Sequence, residues 1–196
     1  MTSSSRRTGA PVDVVLGPVA PGEFPVLRGL AETIWRQHYP AIISSAQIEF
    51  MLAERFCDEA LRAGVEAADR WLEMLRVSGT PVGYCGYELA GMPGDDRHVP
   101  AVKLGQLYVL ASHRGTGLGG LMLRHIERRA RDLGGQWLWL QVNRHNGEAI
   151  GFYRRRGFDV IREAVFEIGA GFVMDDYLMA KRVADGRAGG DPRRRG

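Results

Sequence analysis

The stretch Gly105–Gly120, G-Q-L-Y-V-L-A-S-H-R-G-T-G-L-G-G, decides how the rest of the chain is read. Leu104 to Leu110 reads as a strand, Ala111 to His113 as a short polar turn, and Arg114 to Gly117 as a glycine-rich loop. A helix is expected from Leu118 to Leu133, because Leu118, Met122, Ile126, Ala130 and Leu133 recur at helical spacing. Arg124, Glu127, Arg128, Arg131 and Asp132 are then left on the solvent face. A glycine loop between a strand and a helix N-terminus presents unpaired backbone N–H groups and the positive end of the helix dipole. Both favour a phosphorylated ligand.

Several phosphate-binding loops could be written this way. Gly115-x-Gly117-x-x-Gly120 matches the dinucleotide fingerprint in form. That fingerprint wants an acidic residue about 20 positions on, at the end of the next strand, to hold a ribose. The strand expected there, Gln136 to Val142, carries no carboxylate. A kinase-type phosphate loop fails because no Gly-Lys-Ser/Thr follows. A purely structural tight turn is the remaining alternative. The better match is Arg114-x-x-Gly117-x-Gly119, which resembles the acyl-coenzyme A loop of the GNAT N-acetyltransferase family. Downstream, Asn143-Arg144-His145-Asn146-x-x-Ala149-Ile150-x-Phe152-Tyr153-x-x-x-Gly157-Phe158 resembles the second motif of that family. The resemblance runs from about Val12 to Val183.

With 196 residues, 45% hydrophobic and 25% charged, the chain has the composition of one soluble domain. No apolar run approaches the roughly 18 residues of a membrane span. The N-terminus M-T-S-S-S-R-R-T-G-A-P lacks the apolar core of a secretory signal. Two cysteines, Cys57 and Cys85, suit a reduced, cytoplasmic protein better than a disulfide or zinc framework. The formal net charge is +3. Residues 1–11 and 184–196 hold six arginines against two aspartates, a net +4, so the body between them carries −1. Both tails are expected to be disordered, and the body is not a basic platform for nucleic acid.

From the N-terminus, Val12–Leu16 reads as a strand and Phe24–His38 as a helix ended by Pro40. Ser44-x-x-Gln47 is a capping pattern opening another helix, and Asp58–Asp69 is helical with a break or kink near Gly64. Trp71–Ser78 and Pro81–Ala90 read as a hairpin around Gly79-Thr80. Phe158–Ile168 and Phe172–Lys181 form a closing hairpin turned at Gly169-Ala170-Gly171. The expected fold class is α+β (mixed α/β). It is a GNAT-like acyl-CoA N-acyltransferase fold whose largely antiparallel sheet of six or seven strands is flanked by about four helices.

The resemblance implies transfer of an acetyl group from acetyl-CoA to a primary amine by direct attack in a ternary complex, with no metal. The acyl donor would lie where the strands Leu104–Leu110 and Gln136–Val142 splay apart. Its pantetheine arm would run along Leu107, Tyr108 and Val109, with the Val109 N–H polarising the thioester oxygen. Its pyrophosphate would sit on Arg114, Gly115, Thr116, Gly117, Leu118, Gly119 and Gly120, where glycines avoid obstructing the phosphates. Asn143 and Asn146 would cap the next helix and hold pantetheine amides. Tyr153 is the candidate catalytic general acid. Arg154, Arg155 and Arg156 form a solvated face from which one arginine could reach the 3′-phosphate. The general base stays open among Glu88, His38, Tyr39, Asp175, Asp176 and a water chain, and no His–carboxylate pair is legible.

Trp35, His38 and Tyr39 with Glu32, Glu49, Asp175 and Asp176 suit a cationic acceptor. A small or polyamine-like amine is preferred over a protein N-terminus or lysine. A non-catalytic acyl-CoA sensor and a nucleic-acid module using the arginine tails are the readings from other classes. Dimers are frequent among proteins of this resemblance.

Overall fold

Seven strands hydrogen-bond into one sheet in the order β1-β2-β3-β4-β5-β7-β6. The computed structural model describes residues 13–94 and 99–183, so both expected tails lie outside the described residues. The strands are β1 (Val14–Pro18), β2 (Arg70–Val77), β3 (Thr80–Gly91), β4 (Pro100–Val109), β5 (Trp137–Asn143), β6 (Asp159–Gly169) and β7 (Phe172–Arg182). The helices are α1 (Phe24–His38), α2 (Ser45–Phe56), α3 (Asp58–Glu66), α4 (Leu118–Asp132) and α5 (Gly147–Arg154). Every neighbouring pair is antiparallel except β4 with β5. A parallel pair needs a long crossover, and α4 supplies it.

The α+β expectation holds, with seven strands and five α-helices among the described residues. The boundary between α2 and α3 falls at Cys57, whose extended backbone (φ −66°, ψ 158°) ends one and starts the other. Its Sγ accepts a hydrogen bond from the Ala60 N–H at 3.4 Å and caps the new helix. No kink occurs at Gly64: α3 runs through it to Glu66. The β2–β3 turn is centred on Ser78-Gly79, not Gly79-Thr80. Both residues are left-handed (φ 48° and 79°), and Thr80 already pairs with Val77.

The helices cover the two sheet faces differently. On one face Leu118, Met122, Ile126 and Ala130 of α4 are buried against Val102, Leu138, Leu140 and Met179, as the stripe in the sequence requires. On the other, Leu27, Ile34 and Trp35 of α1 and Ile48, Met51 and Phe56 of α2 pack on Met74 and Tyr84. A buried side-chain hydrogen bond helps to order this second core. Trp35 Nε1 donates to the Tyr84 hydroxyl at 2.8 Å, with both rings buried. Replacing Tyr84 by Phe leaves that indole N–H without a partner. The expected cost is about 1–2 kcal/mol in urea unfolding, and an unchanged midpoint would show that the bond contributes nothing net.

Candidate active site

The parallel ladder between β4 and β5 is short. It pairs Ala101–Leu104 with Trp137–Leu140 and stops there. At the same level the β3–β4 register skips Gly105, passing from Tyr87↔Leu104 to Gly86↔Gln106. A bulge of this kind bends its strand, here β4 away from β5. Gly105–Val109 and Gln141–Asn143 therefore run on without each other, and a cavity of about 900 Å³ opens between them. The Leu110 N–H donates to the Val82 carbonyl of the turn side at 2.8 Å. Backbone N–H groups alternate in direction along a strand, so the Val109 N–H points the other way, into the gap.

The glycine loop closes one end of this cavity. Gly117 caps α4 in a left-handed conformation (φ 89°, ψ −8°), and Gly115 is also left-handed (φ 76°). Arg114, Gly115, Gly117, Gly119 and Gly120 line the cavity together with Leu107, Tyr108, Val109, Asn143, Asn146 and Tyr153. Thr116 and Leu118 do not. The Thr116 hydroxyl donates to the His113 carbonyl at 2.7 Å, and Leu118 is buried in the core as the helix anchor. Gly119 has a reason beyond avoiding phosphates, since a Cβ there would come within 3.3 Å of the Phe152 ring. The close approach of α4 and α5 depends on it.

Positive charge gathers at the same end. Arg155 and Arg156 line the cavity, whereas Arg154 is exposed and does not. The Arg156 guanidinium lies 3.7 Å over the Phe152 ring and donates to the Phe152 carbonyl at 3.0 Å. Its pKa is pushed down, first by burial and then by the neighbouring Arg155 and Arg124. Crowded guanidinium groups of this kind are relieved by an anion. Arg114 contacts Glu148 at 3.3 Å from the opposite wall.

The second motif builds α5. Asn146 Oδ1 accepts from the Ala149 N–H at 3.2 Å, the expected cap, and its Nδ2 sits 3.1 Å from His38 Nε2. Asn143 Oδ1 accepts from the His145 N–H at 3.0 Å and tightens the turn before the helix. Tyr153 lies on the cavity wall with its ring edge-on to Phe152 and tilted against Phe158. Burial pushes its phenol pKa well above the ordinary value, so the hydroxyl is protonated across the working range of an enzyme.

The candidate bases separate clearly. Glu88 is tied to Arg70 at 3.1 Å and Lys103 at 3.7 Å, away from this cavity. Asp175 faces Arg144 at 3.2 Å, and Glu32 and Glu49 both pair with Arg36, so none of these three lines it. The Tyr39 hydroxyl is 2.8 Å from that of Tyr108, and burial raises both pKa values. His38 lines the cavity with its pKa lowered by burial and by Arg114, and Asp176 lines it as well. Among the described residues two His–carboxylate contacts occur that were not legible in the sequence. His38 is 3.9 Å from Glu148, and His125 is 3.0 Å from Glu73, outside this cavity. Partners more than 50 residues apart leave no local pattern.

Arg55, Gln106 and Glu148 also line the cavity, and sequence reasoning passed over all three. Arg55 lies one helical turn beyond Met51, so following the α2 face four residues further would have found it. Among the described residues, no group of three or more His, Cys, Asp or Glu side chains could hold a metal ion. No helix among them is long and apolar enough to cross a membrane.

Comparison with known proteins bears on this geometry. An uncharacterised N-acetyltransferase of Mycobacterium tuberculosis H37Rv is 34% identical over 90 residues, 46% of this chain and 55% of that protein. This chain thus spans about half the length of the mycobacterial relatives it matches. Streptothricin acetyltransferase of Streptomyces lavendulae is 46% identical over 50 residues, 26% of each chain. The crystal structure of the PaiA N-acetyltransferase of Thermoplasma acidophilum in complex with coenzyme A superposes with a TM-score of 0.71. It covers 87% of this chain and 99% of that one at 20% identity, a likeness of fold. The model of the acetyltransferase (GNAT) family matches residues 29–158, from the first helix through the glycine loop to the end of the second motif. More than half of the chain is matched, and on that ground it belongs to the acetyltransferase (GNAT) family.

Proposed function

We propose that the protein is an N-acetyltransferase that moves an acetyl group from acetyl-CoA to a small primary amine. The observation that carries this reading is the unpaired stretch of β4 and β5 beside the glycine loop at the start of α4. Buried backbone N–H and C=O groups without partners are costly, and the amides of a pantetheine arm would satisfy them. The loop amides and Arg114, Arg155 and Arg156 suit phosphates.

The roles of the residues follow from their positions. The Val109 N–H is aimed at the thioester oxygen and stabilises the charge that builds there as nitrogen attacks. The Tyr153 phenol, kept neutral by burial, delivers a proton to the departing sulfur. Leu107, Tyr108, Asn143 and Asn146 hold the arm, and both substrates are bound before transfer. The acceptor enters from the side of Trp35, His38 and Tyr39. Of the four carboxylates that suggested a polyamine, Glu32, Glu49 and Asp175 are engaged by arginines elsewhere. An acceptor with one cationic centre therefore fits better than one with several.

A peptide acceptor is the second reading, supported by a shallower groove of about 370 Å³ that shares Arg55, Lys103, Gly105 and Gln106 with the cavity. Calorimetry with acetyl-CoA and coenzyme A, followed by thiol release with phenethylamine, tyramine, putrescine and a short peptide, tests both. Micromolar binding and transfer to a monoamine are expected. Failure to bind acetyl-CoA would remove the acetyltransferase reading, and preference for the peptide would exchange the acceptor.

A further inference from the structure

Two carboxylates stand on the cavity wall among the described residues, and they differ sharply. The Glu148 side chain is 64% exposed and contacts Arg114. Asp176 is 4% exposed, and its Oδ1 is buried without any hydrogen-bond partner. A buried carboxylate oxygen left unpaired is expensive in a fold that otherwise pairs its polar groups. Asp176 itself lines the cavity, and such a carboxylate suits a donor that arrives with the substrate.

Its place on the sheet is specific. Asp176 on β7 pairs with Asn143 on β5, at the end where β5 has parted from β4. Residues directly opposite on antiparallel strands share a face. Asp176 therefore stands beside the mouth of the gap on the face covered by α1 and α2, where the acceptor would enter. Tyr108 of β4 lines the same cavity, and its phenol pKa is raised first by burial, with the Asp176 charge adding to the rise. Trp35, Tyr39 and Tyr108 form an aromatic wall of tilted and edge-on rings, with centroids 5.0 to 6.4 Å apart. An ammonium group is held well by a carboxylate at the base of such a wall. Arg55 of α2, 5.9 Å over the Trp35 ring, makes no ion pair among the described residues. It would repel a second cation on the acceptor.

We infer that Asp176 is the acceptor-binding carboxylate, which docks the ammonium of a singly charged primary amine and takes the proton that frees its nitrogen to attack. This rests on the acetyltransferase reading above. The ammonium gives one proton to Asp176, and the nitrogen lone pair forms the C–N bond. The C–S bond breaks with its electron pair on sulfur, which takes a proton from Tyr153. The second N–H proton, acidic once nitrogen carries the acyl group, restores the Tyr153 phenol. Amide, thiol and a protonated Asp176 result, and Asp176 returns its proton to water.

The charges around Asp176 give the pH dependence its sign. Burial raises its pKa from 3.8 to about 6, with Asp175 adding to the rise and Arg55 opposing it. The competent carboxylate forms as the pH climbs through that value, so kcat/KM with phenethylamine or tyramine should show an acid limb near 6 and level off above it.

The test measures thiol release from acetyl-CoA by wild type, Asp176→Asn and Asp176→Glu from about pH 5 to pH 9, alongside acetyl-CoA binding. For Asp176→Asn the expected results are a loss of roughly 100-fold or more in kcat/KM, disappearance of the acid limb, and unchanged affinity for acetyl-CoA. Asp176→Glu should recover part of the activity and restore a limb. Retention of both activity and limb in Asp176→Asn would overturn the inference while leaving the acetyltransferase intact. A wild type that binds acetyl-CoA but releases no thiol with any amine would remove both.

Discussion

Gly117→Trp is expected to weaken acetyl-CoA binding by at least about 100-fold while leaving the fold intact. The argument has a backbone half and a ligand half. Gly117 sits at φ 89°, where a side chain costs roughly 1–2 kcal/mol. A Cβ there would meet no protein atom within 4 Å, so the substitution does not disrupt the core. What it changes is the space in front of the α4 N-terminus. An indole there denies a phosphate at least two charge-assisted bonds to loop amides, each worth about 1.5–3 kcal/mol. Losing two corresponds to a factor of 100 or more. Calorimetry on both proteins, with circular dichroism as the control for folding, settles the matter. Affinity within a few-fold of wild type would place the acyl donor somewhere else.

Tyr153→Phe should lower kcat by roughly 100-fold with little change in acetyl-CoA affinity. The phenyl ring keeps the edge-on contact with Phe152 at 5.1 Å and the contact with Phe158 at 5.5 Å, so only the hydroxyl is lost. The wild-type phenol titrates well above its ordinary range, because burial disfavours the phenolate. Tyr153 therefore contributes no alkaline limb to the wild-type profile up to about pH 10. Steady-state kinetics and direct binding separate the two effects. A variant with full kcat would reduce Tyr153 to a packing residue.

How much of this could be read from the residues depends on the range of the interaction. The α4 stripe, the Asn146 cap and the left-handed glycine at the loop are local, and each is written within a few positions of the side chain it explains. Helix α1 was legible to the residue, Phe24–His38. The Ser78-Gly79 turn was displaced by one because only the register of the completed hairpin distinguishes it from Gly79-Thr80. The second reason for Gly119 was not legible, because the Phe152 ring that a Cβ would meet comes 33 positions later. Asp176 was legible as one candidate among several, but the choice between it and Asp175 was not. In sequence it is the second of two adjacent aspartates, and alternation along β7 turns one to Arg144 and the other into the cavity. Which of the pair faces inward depends on the pairing of β7 with β5, a contact no short window contains.

The four-pair seam between β4 and β5 also bears on the order in which the molecule assembles. Strands β2, β3 and β4 are joined by consecutive hairpin connections, and β6 and β7 by another, so each block closes over short loops at low entropic cost. Joining the blocks requires the α4 crossover to be in place and gains few ladder bonds in return. Contacts of that kind come late in folding, since long loops must close before anything rewards them. On that ground the cleft is expected to close in the last step of assembly, so that hydrogen exchange along β4 and β5 at this seam should be the first to lose protection.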